Sequence, residues 1–151
     1  MDKKNIAIEI LPRALWVAMA ICLFWGQRFN NLPPKLISNA ILIYLGSSLA
    51  VMGVSFWLYV VYTMRKALFD KSLVTTGPFK YIRHPMYVGI YIMLLGTGIL
   101  FFSKVWFTIM LFFIPIWHLV CKIEENQMID RYGRKYLDYK KRAGMFLPKI
   151  F

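Results

Sequence analysis

The chain has 151 residues, of which 59% are hydrophobic, and its formal net charge is +12. So high an apolar fraction excludes an ordinary soluble domain, and the length predicts a single domain, residues 1–151. The basic residues lie between and at the ends of long apolar runs, which favours contact with anionic lipid headgroups over nucleic-acid binding.

Four apolar segments are predicted to be membrane-spanning helices. They cover about residues 6–26, 38–64, 85–103 and 105–121. The second is longer than a hydrocarbon core of about 30 Å and would span it with tilt or protrude, while the last two are just long enough to span it. Only Lys104 separates the apolar bodies of the last two, so we expect a tight antiparallel hairpin. Cys22 and Cys121 lie inside apolar runs, which favours buried thiols over a disulfide or a metal site.

The polar segments between these helices set the predicted orientation. With about four spans, the N-terminus, the loop at 65–84 and the tail at 122–151 share one side, which holds nearly all of the Lys and Arg. The positive-inside rule predicts that both termini are cytoplasmic. The predicted fold is therefore an all-α integral membrane protein with a helical C-terminal tail. We expect a prokaryotic plasma membrane, or the endoplasmic reticulum in a eukaryote.

A basic turn precedes the third predicted helix. Pro85 suits the first position of a helix, which places Arg83 and His84 at its N-terminus. Free N–H groups and the helix dipole at such an end favour an anionic ligand. The alternative is a basic cap that anchors the helix at the membrane interface.

A pair of carboxylates, Glu124 and Glu125, follows the fourth predicted helix. They could bind a cationic ligand such as a sulfonium or an amine. The alternative is a solvated helix end, in which the carboxylates pair with Lys122 or Arg131. Because the predicted hairpin brings His84 close to this pair, the two clusters suit a zwitterionic cofactor.

The tail and the fourth helix contain further candidates. Tyr132, Tyr136 and Tyr139 repeat at helical spacing, and they serve either as interfacial aromatic anchors or as a lid over the site. His118, within an apolar helix, is a functional candidate by its location or else a satisfied packing histidine. Gly89 and Gly96 share one helix face and predict close helix packing.

Several motifs in order resemble one family of enzymes. They are Leu-Val-Thr-Thr-Gly-Pro-Phe at 73–79, Arg-His-Pro-Met-Tyr-Val-Gly at 83–89, Glu124-Glu125, a Tyr-Gly-x-x-Tyr-x-x-Tyr run at 132–139 and Leu-Pro at 147–148. Together they resemble the isoprenylcysteine carboxyl methyltransferases and the related phospholipid methyltransferases, across about residues 71–149. The N-terminal helices match only in kind.

The resemblance implies S-adenosyl-L-methionine as the methyl donor, held on the cytoplasmic side between the last two helices and the tail. The implied cofactor contacts are Lys71, Ser72, Leu73, Val74, Phe79, Arg83, His84, Pro85, Met86, Tyr87, Glu124 and Glu125. Glu125 and His118 are the candidates for a catalytic base, and the substrate contacts would be Lys122, Tyr132 and Tyr136.

One position departs from the family pattern. Eukaryotic carboxyl methyltransferases of this family carry an arginine, for the substrate carboxylate, about one turn before the glutamates. Here that place is Val120 or Cys121, and the nearest polar groups are Lys122 and His118. This departure slightly favours an acceptor that is not a carboxylate.

The predicted function is methyl transfer from S-adenosyl-L-methionine to a lipophilic or prenylated acceptor in the membrane, as in O-methylation of an isoprenylcysteine carboxylate. The alternatives are N-methylation of a phospholipid amine headgroup, an NADPH-dependent membrane reductase, and a non-catalytic membrane scaffold. Neither a metal nor nucleic acid is expected as a partner.

Overall fold

The computed structural model describes residues 14–15, 17–25, 40–70, 72–101 and 104–149, except for the side chains of 66–70. The regular elements in these ranges are helical, as predicted. They are α1 (residues 17–25), α2 (Ala40–Asp70), a 3₁₀ turn (Gly77–Lys80), α3 (Pro85–Phe101), α4 (Lys104–Tyr132) and α5 (Arg134–Arg142).

Two of these helices are long and apolar enough to cross a bilayer, α2 over Ala40–Arg65 and α4 over Lys104–Tyr132. Only 11% of the apolar window of α2 and 28% of that of α4 is buried within the protein, which leaves most of this surface to lipid. These features support a membrane location. α3 is apolar but has 17 residues, and most of the predicted first span lies outside the described residues. The number of about four spans therefore stays a prediction.

Glycines bring α2 and α3 into backbone contact. A Cβ atom added at Gly53 would lie 2.3 Å from the amide nitrogen of Met93, and one added at Gly96 would lie 2.4 Å from that of Ala50. Gly89 faces α2 in the same interface. Small residues permit this close approach of helices in a membrane, which agrees with the packing role predicted for Gly89 and Gly96.

The pairing of α3 with α4 is looser than the predicted tight hairpin. The two helices are antiparallel, since Tyr87 packs on Trp117 with ring centroids 5.2 Å apart and Trp106 Nε1 donates to Leu94 O at 2.9 Å. Large aromatic side chains fill this interface, whereas glycines line the interface with α2. The most extensive helix contact of α3 is therefore with α2.

The helix α4 continues past residue 121, the predicted end of the fourth membrane span. The helix continues to Tyr132 because residues 122–132 contain neither proline nor glycine. Gly133, at φ +53°, breaks the helix before α5. α2 likewise continues to Asp70, which shortens the loop predicted at 65–84.

The C-terminal segment folds back onto the loop before α3. Gly144 forms a parallel bridge with Ile82, and its carbonyl accepts a hydrogen bond from Arg83 N at 2.8 Å. His84 N donates to Met145 O at 3.1 Å. Tyr139, in α5, donates its hydroxyl proton to Phe79 O at 2.7 Å. These bonds hold the tail and the loop together, and they fix the entry into α3.

Candidate functional site

A cavity of about 380 Å³ lies where the N-terminal end of α3 meets the distal part of α4. Its walls come from the end of α2, the loop before α3, the first turn of α3, the part of α4 beyond residue 123, and α5. Segments separated by about half of the chain thus form one concave surface of the kind that binds small molecules.

The positions predicted to contact the cofactor converge on this cavity. Its lining includes Ser72, Leu73, Val74, Phe79, Arg83, His84, Pro85, Met86, Tyr87 and Glu124. Tyr132 and Tyr136, predicted as substrate contacts, line it too. Lys71 lies outside the described residues. The structure brings these residues together, while their individual roles stay predictions.

Glu125 has a different environment from its neighbour and does not line the cavity. Its side chain is 3% exposed, and its Oε1 accepts a hydrogen bond from Arg83 Nε at 2.6 Å. Its Oε2 lies 2.7 Å from Lys140 Nζ. A buried carboxylate needs such partners because an isolated charge in this position would lose its hydration uncompensated.

Arg83 joins this carboxylate to the end of α5. Besides Glu125, its guanidinium donates to the backbone carbonyls of Lys140 and Ala143, and only 8% of the side chain is exposed. The predicted role of Arg83 was an anion contact at the helix end. Here its donors are largely taken up by protein acceptors, which makes it a connector between the loop, α4 and α5.

His84 lies between the two glutamates. Its Nδ1 is 3.6 Å from Glu124 Oε2 and its Nε2 is 3.4 Å from Glu125 Oε1, while 9% of the residue is exposed. Within the described part of the chain, Nε2 is buried and forms no hydrogen bond. His84 directly precedes Pro85, the first residue of α3, and its backbone N–H donates to Met145 O. These two features hold the ring beside the N-terminal end of α3.

Glu124 presents its carboxylate to the cavity. The side chain is 28% exposed, and Oε1 accepts a hydrogen bond from the Tyr87 hydroxyl at 2.7 Å. The first turn of α3, with its free N–H groups, lines the same cavity through Met86. The cavity therefore offers a donor-rich region for an anion and a carboxylate for a cation.

Aromatic side chains form the wall on the tail side. Tyr136 and Tyr139 are 3% and 4% exposed, so the interpretation of these two as interfacial anchors is wrong. Burial raises the pKa of Tyr139 from 10.0 to about 12, and it also raises the pKa of Tyr136. Both phenols therefore stay neutral at physiological pH. Their faces and that of Tyr132 suit a planar ring or a cationic group.

Tyr139, for which a lid over the site was the alternative prediction, also lines the cavity. Three further lining residues were not predicted from the sequence: Met64, Met128 and Arg131. A signal for two of them was present. Met128 and Arg131 follow Glu124 at spacings of four and seven, so they share its face once the helix is known to continue. Arg131 also lies 5.9 Å from the centroid of the Tyr132 ring.

The other predicted residues lie away from the cavity. Lys122 is exposed on α4, and His118 is half-buried with its ring 6.2 Å from that of Phe146. Val120 and Cys121, where the family pattern has an arginine, are both buried in the hydrophobic core. The catalytic role of His118 and the substrate role of Lys122 stay predictions.

Comparison with known proteins identifies a family. The phospholipid methyltransferase family profile matches residues 34–135, which include the whole of α2, α3 and α4. No solved structure matches the chain significantly.

Curated relatives fall into two kinds by name. The protein-S-isoprenylcysteine O-methyltransferase of Schizosaccharomyces pombe is 33% identical over 71% of this chain and 45% of its own length. That of Dictyostelium discoideum is 27% identical over 91% of this chain and 51% of its own. The nickel-cobalt-cadmium resistance protein NccN of Alcaligenes xylosoxydans xylosoxydans is 28% identical over 70% and 48%. The chain thus spans about half the length of these relatives.

Proposed function

The chain belongs to the phospholipid methyltransferase family, and on that premise we propose that it transfers a methyl group from S-adenosyl-L-methionine to a lipophilic acceptor. The observation that carries the proposal is the convergence of the α3 N-terminus, His84 and Glu124 on one cavity. A donor-rich end and a carboxylate in a single cavity match a ligand that carries both a carboxylate and positive charges. The whole chain, residues 1–151, acts as one domain in this proposal.

The residues present fit this cofactor. The first-turn N–H groups of α3, with the His84 ring beside them in the cavity lining, suit the methionyl carboxylate. Glu124 suits the amino group or the ribose hydroxyls, and the tyrosines suit the adenine ring and the sulfonium. When bound, the cofactor supplies an electrophilic methyl group. The protein's part is to orient the reactants and to exclude water.

For the acceptor, we propose a carboxylate such as that of a prenylated cysteine. Support comes from the relatives whose names state this activity. Because the expected arginine position is buried and apolar here, we assign the recognition of the anion to Arg131, whose side chain lines the cavity beside Tyr132. A carboxylate acceptor needs no general base, which agrees with the engagement of Glu125 by Arg83 and Lys140.

A phospholipid amine headgroup is the second candidate acceptor. The matched family bears the name phospholipid methyltransferase, and Glu124 is a cavity carboxylate able to hold an ammonium group. An amine must lose its proton before it can attack, so this reaction would require a base. Labelled methyl transfer to phosphatidylethanolamine vesicles, compared with a prenylcysteine, distinguishes the two acceptors.

We also propose that the cavity faces the cytoplasm. The loop before α3, the end of α4 and the tail all carry basic residues and lie together, as the positive-inside rule requires for one cytoplasmic side. Both termini would then be cytoplasmic, and a lipophilic acceptor would reach the cavity from the bilayer.

Calorimetry with S-adenosylhomocysteine on the detergent-purified chain tests the cofactor assignment. We expect His84→Ala and Glu124→Gln each to weaken binding roughly 10–100-fold, because each removes a charged or strongly polar contact. Asp130→Asn is the matched control, since Asp130 is an exposed carboxylate on the same helix. Absence of binding in the unaltered chain, or equal affinities in all variants, would refute the assignment. NADPH serves as the comparison ligand.

A further inference from the structure

Two residues of the cavity lining, His84 and Glu124, lie close to a buried thiol that is not among the proposed cofactor contacts. Cys121, His84 and Glu124 each place one potential ligand atom within 4.8 Å of the others. Cys121 lies one helical turn before Glu124 on α4, and His84 reaches them from the start of α3. Three ligands bound to one ion at about 2.0–2.3 Å lie within such mutual distances.

The surroundings of His84 favour metal binding on a second, independent ground. Its Nδ1 faces Glu124 Oε2 at 3.6 Å, while the opposite nitrogen, Nε2, is buried without a hydrogen bond and lies 3.4 Å from Glu125 Oε1. A metal-bound histidine characteristically donates its other ring N–H to a carboxylate, which fixes the tautomer and strengthens the ligand. Glu125 occupies that outer position and is itself held by Arg83 and Lys140.

The ligand types select the class of metal. Nitrogen, thiolate and carboxylate together suit borderline-soft divalent cations such as Zn²⁺, Co²⁺ and Cd²⁺, whereas Mg²⁺ and Ca²⁺ prefer oxygen ligands only. Tyr87 occupies Glu124 Oε1, which leaves Oε2 for the cation. A cation would enter past Glu124, because that side chain is partly exposed whereas Cys121 is fully buried.

We propose that His84, Cys121 and Glu124 bind a zinc-class divalent cation, and that the bound cation excludes S-adenosyl-L-methionine from the cavity. On binding, the Cys121 thiol releases its proton to solvent and its sulfur forms a bond to the metal. The fourth coordination position remains for water. The exclusion of the cofactor rests on the proposed function, since His84 and Glu124 would serve both ligands. The binding of the cation does not rest on it.

Titration of the purified full chain with Co²⁺ tests the cation site directly. A cobalt–thiolate bond gives a charge-transfer band in the near ultraviolet, and tetrahedral cobalt gives intense visible bands. We expect both in the unaltered chain, their loss on addition of Zn²⁺, and the absence of the thiolate band in Cys121→Ser. Cys22→Ser is the matched control because the chain has two cysteines and Cys22 is exposed.

Persistence of the thiolate band in Cys121→Ser, or its loss in Cys22→Ser, would overturn the proposal, as would no band in the unaltered chain. Glu124→Gln provides a second variant should Cys121→Ser fail to fold, and it should weaken cobalt binding at least tenfold. Circular dichroism confirms that each variant is helical.

A competition experiment tests the exclusion of the cofactor. With Zn²⁺ at ten times its dissociation constant, we expect the apparent Kd for S-adenosylhomocysteine to rise about tenfold in the unaltered chain. It should not change in Cys121→Ser. An unchanged Kd in the presence of Zn²⁺ would refute the exclusion. If S-adenosylhomocysteine does not bind at all, the proposed function fails, while the cobalt spectrum still decides the cation site.

Discussion

Replacing Arg83 by methionine should destabilise the protein strongly, because this side chain neutralises a buried carboxylate. Arg83 Nε lies 2.6 Å from Glu125 Oε1, and the two side chains are 8% and 3% exposed. The variant leaves Glu125 with Lys140, which is 39% exposed and therefore partly solvated. It also removes the guanidinium donor from the Lys140 and Ala143 carbonyls.

The magnitude follows from the cost of stranding a buried charge. Removing one partner of a buried ion pair costs about 3–5 kcal/mol. A chain of this size loses about 2–4 °C of melting temperature for each kcal/mol, so the Tm should fall by roughly 6–20 °C. The Tm of Arg83→Lys should lie between those of the unaltered chain and Arg83→Met, since lysine keeps the charge but lacks the planar set of donors. The double variant Arg83→Met with Glu125→Met should recover part of the loss because no buried charge remains unpaired.

A thiol-reactive fluorophore measures this unfolding in detergent. Cys121 is fully buried and Cys22 is exposed, so in a Cys22→Ser background the fluorescence reports exposure of Cys121 on heating. A Tm of Arg83→Met within about 2 °C of the parent would correspond to less than about 1 kcal/mol. That result would show that the cluster is solvated and that Arg83 does not hold the loop to α4 and α5.

Three further predictions concern the packing and the cavity. Tyr139→Phe should lower the free energy of unfolding by about 1–3 kcal/mol by leaving Phe79 O without its donor. The pKa of Tyr139 is about 12 in the folded protein against 10.0 in the unfolded chain, so the free energy of unfolding should fall as the pH rises from 10 to 12. Chemical unfolding should show that this fall is smaller in Tyr139→Phe than in the unaltered chain. Gly96→Leu should abolish correct folding, because an added Cβ would clash with the amide nitrogen of Ala50, and size-exclusion chromatography should show aggregation. Thr108→Leu, at an exposed position of α4, is the control and should remain monodisperse. Arg131→Ala should raise the KM for a carboxylate acceptor about tenfold or more while the affinity for S-adenosylhomocysteine is retained, with Arg134→Ala as the control; an unchanged KM would remove Arg131 from acceptor binding.

Local signals in the sequence predicted much of the cavity. Pro85 marks the start of α3, and the position of His84 before it follows from the helix start rules. The helix ends were harder to predict, because loss of hydrophobicity after Cys121 marks the end of an apolar segment and not the end of a helix. α4 therefore continues for another three turns, and those turns carry Met128 and Arg131 into the cavity.

The detailed contacts of the tail could not be predicted from the sequence, because part of them are backbone hydrogen bonds. The bonds that join Arg83 and His84 to Gly144 and Met145 carry no signature in side-chain type. Tyrosines at helical spacing are typical of membrane interfaces, so the sequence pattern favours interfacial anchors. The burial of Tyr139 results instead from the return of the tail to the loop, with its hydroxyl bonded to Phe79 O.

The different fates of Glu124 and Glu125 follow from helix geometry combined with that return of the tail. Neighbouring residues on a helix point about 100° apart, so only one of the two carboxylates can face the cavity. The side chain of Glu125 points toward the end of α5, where Lys140 and the Arg83 guanidinium meet it. Glu124 remains available for a ligand because its neighbour satisfies those cations. Under the proposed function, Glu124 is therefore a binding group and Glu125 a positioning group, and substitutions at the two positions should separate into loss of affinity and loss of stability.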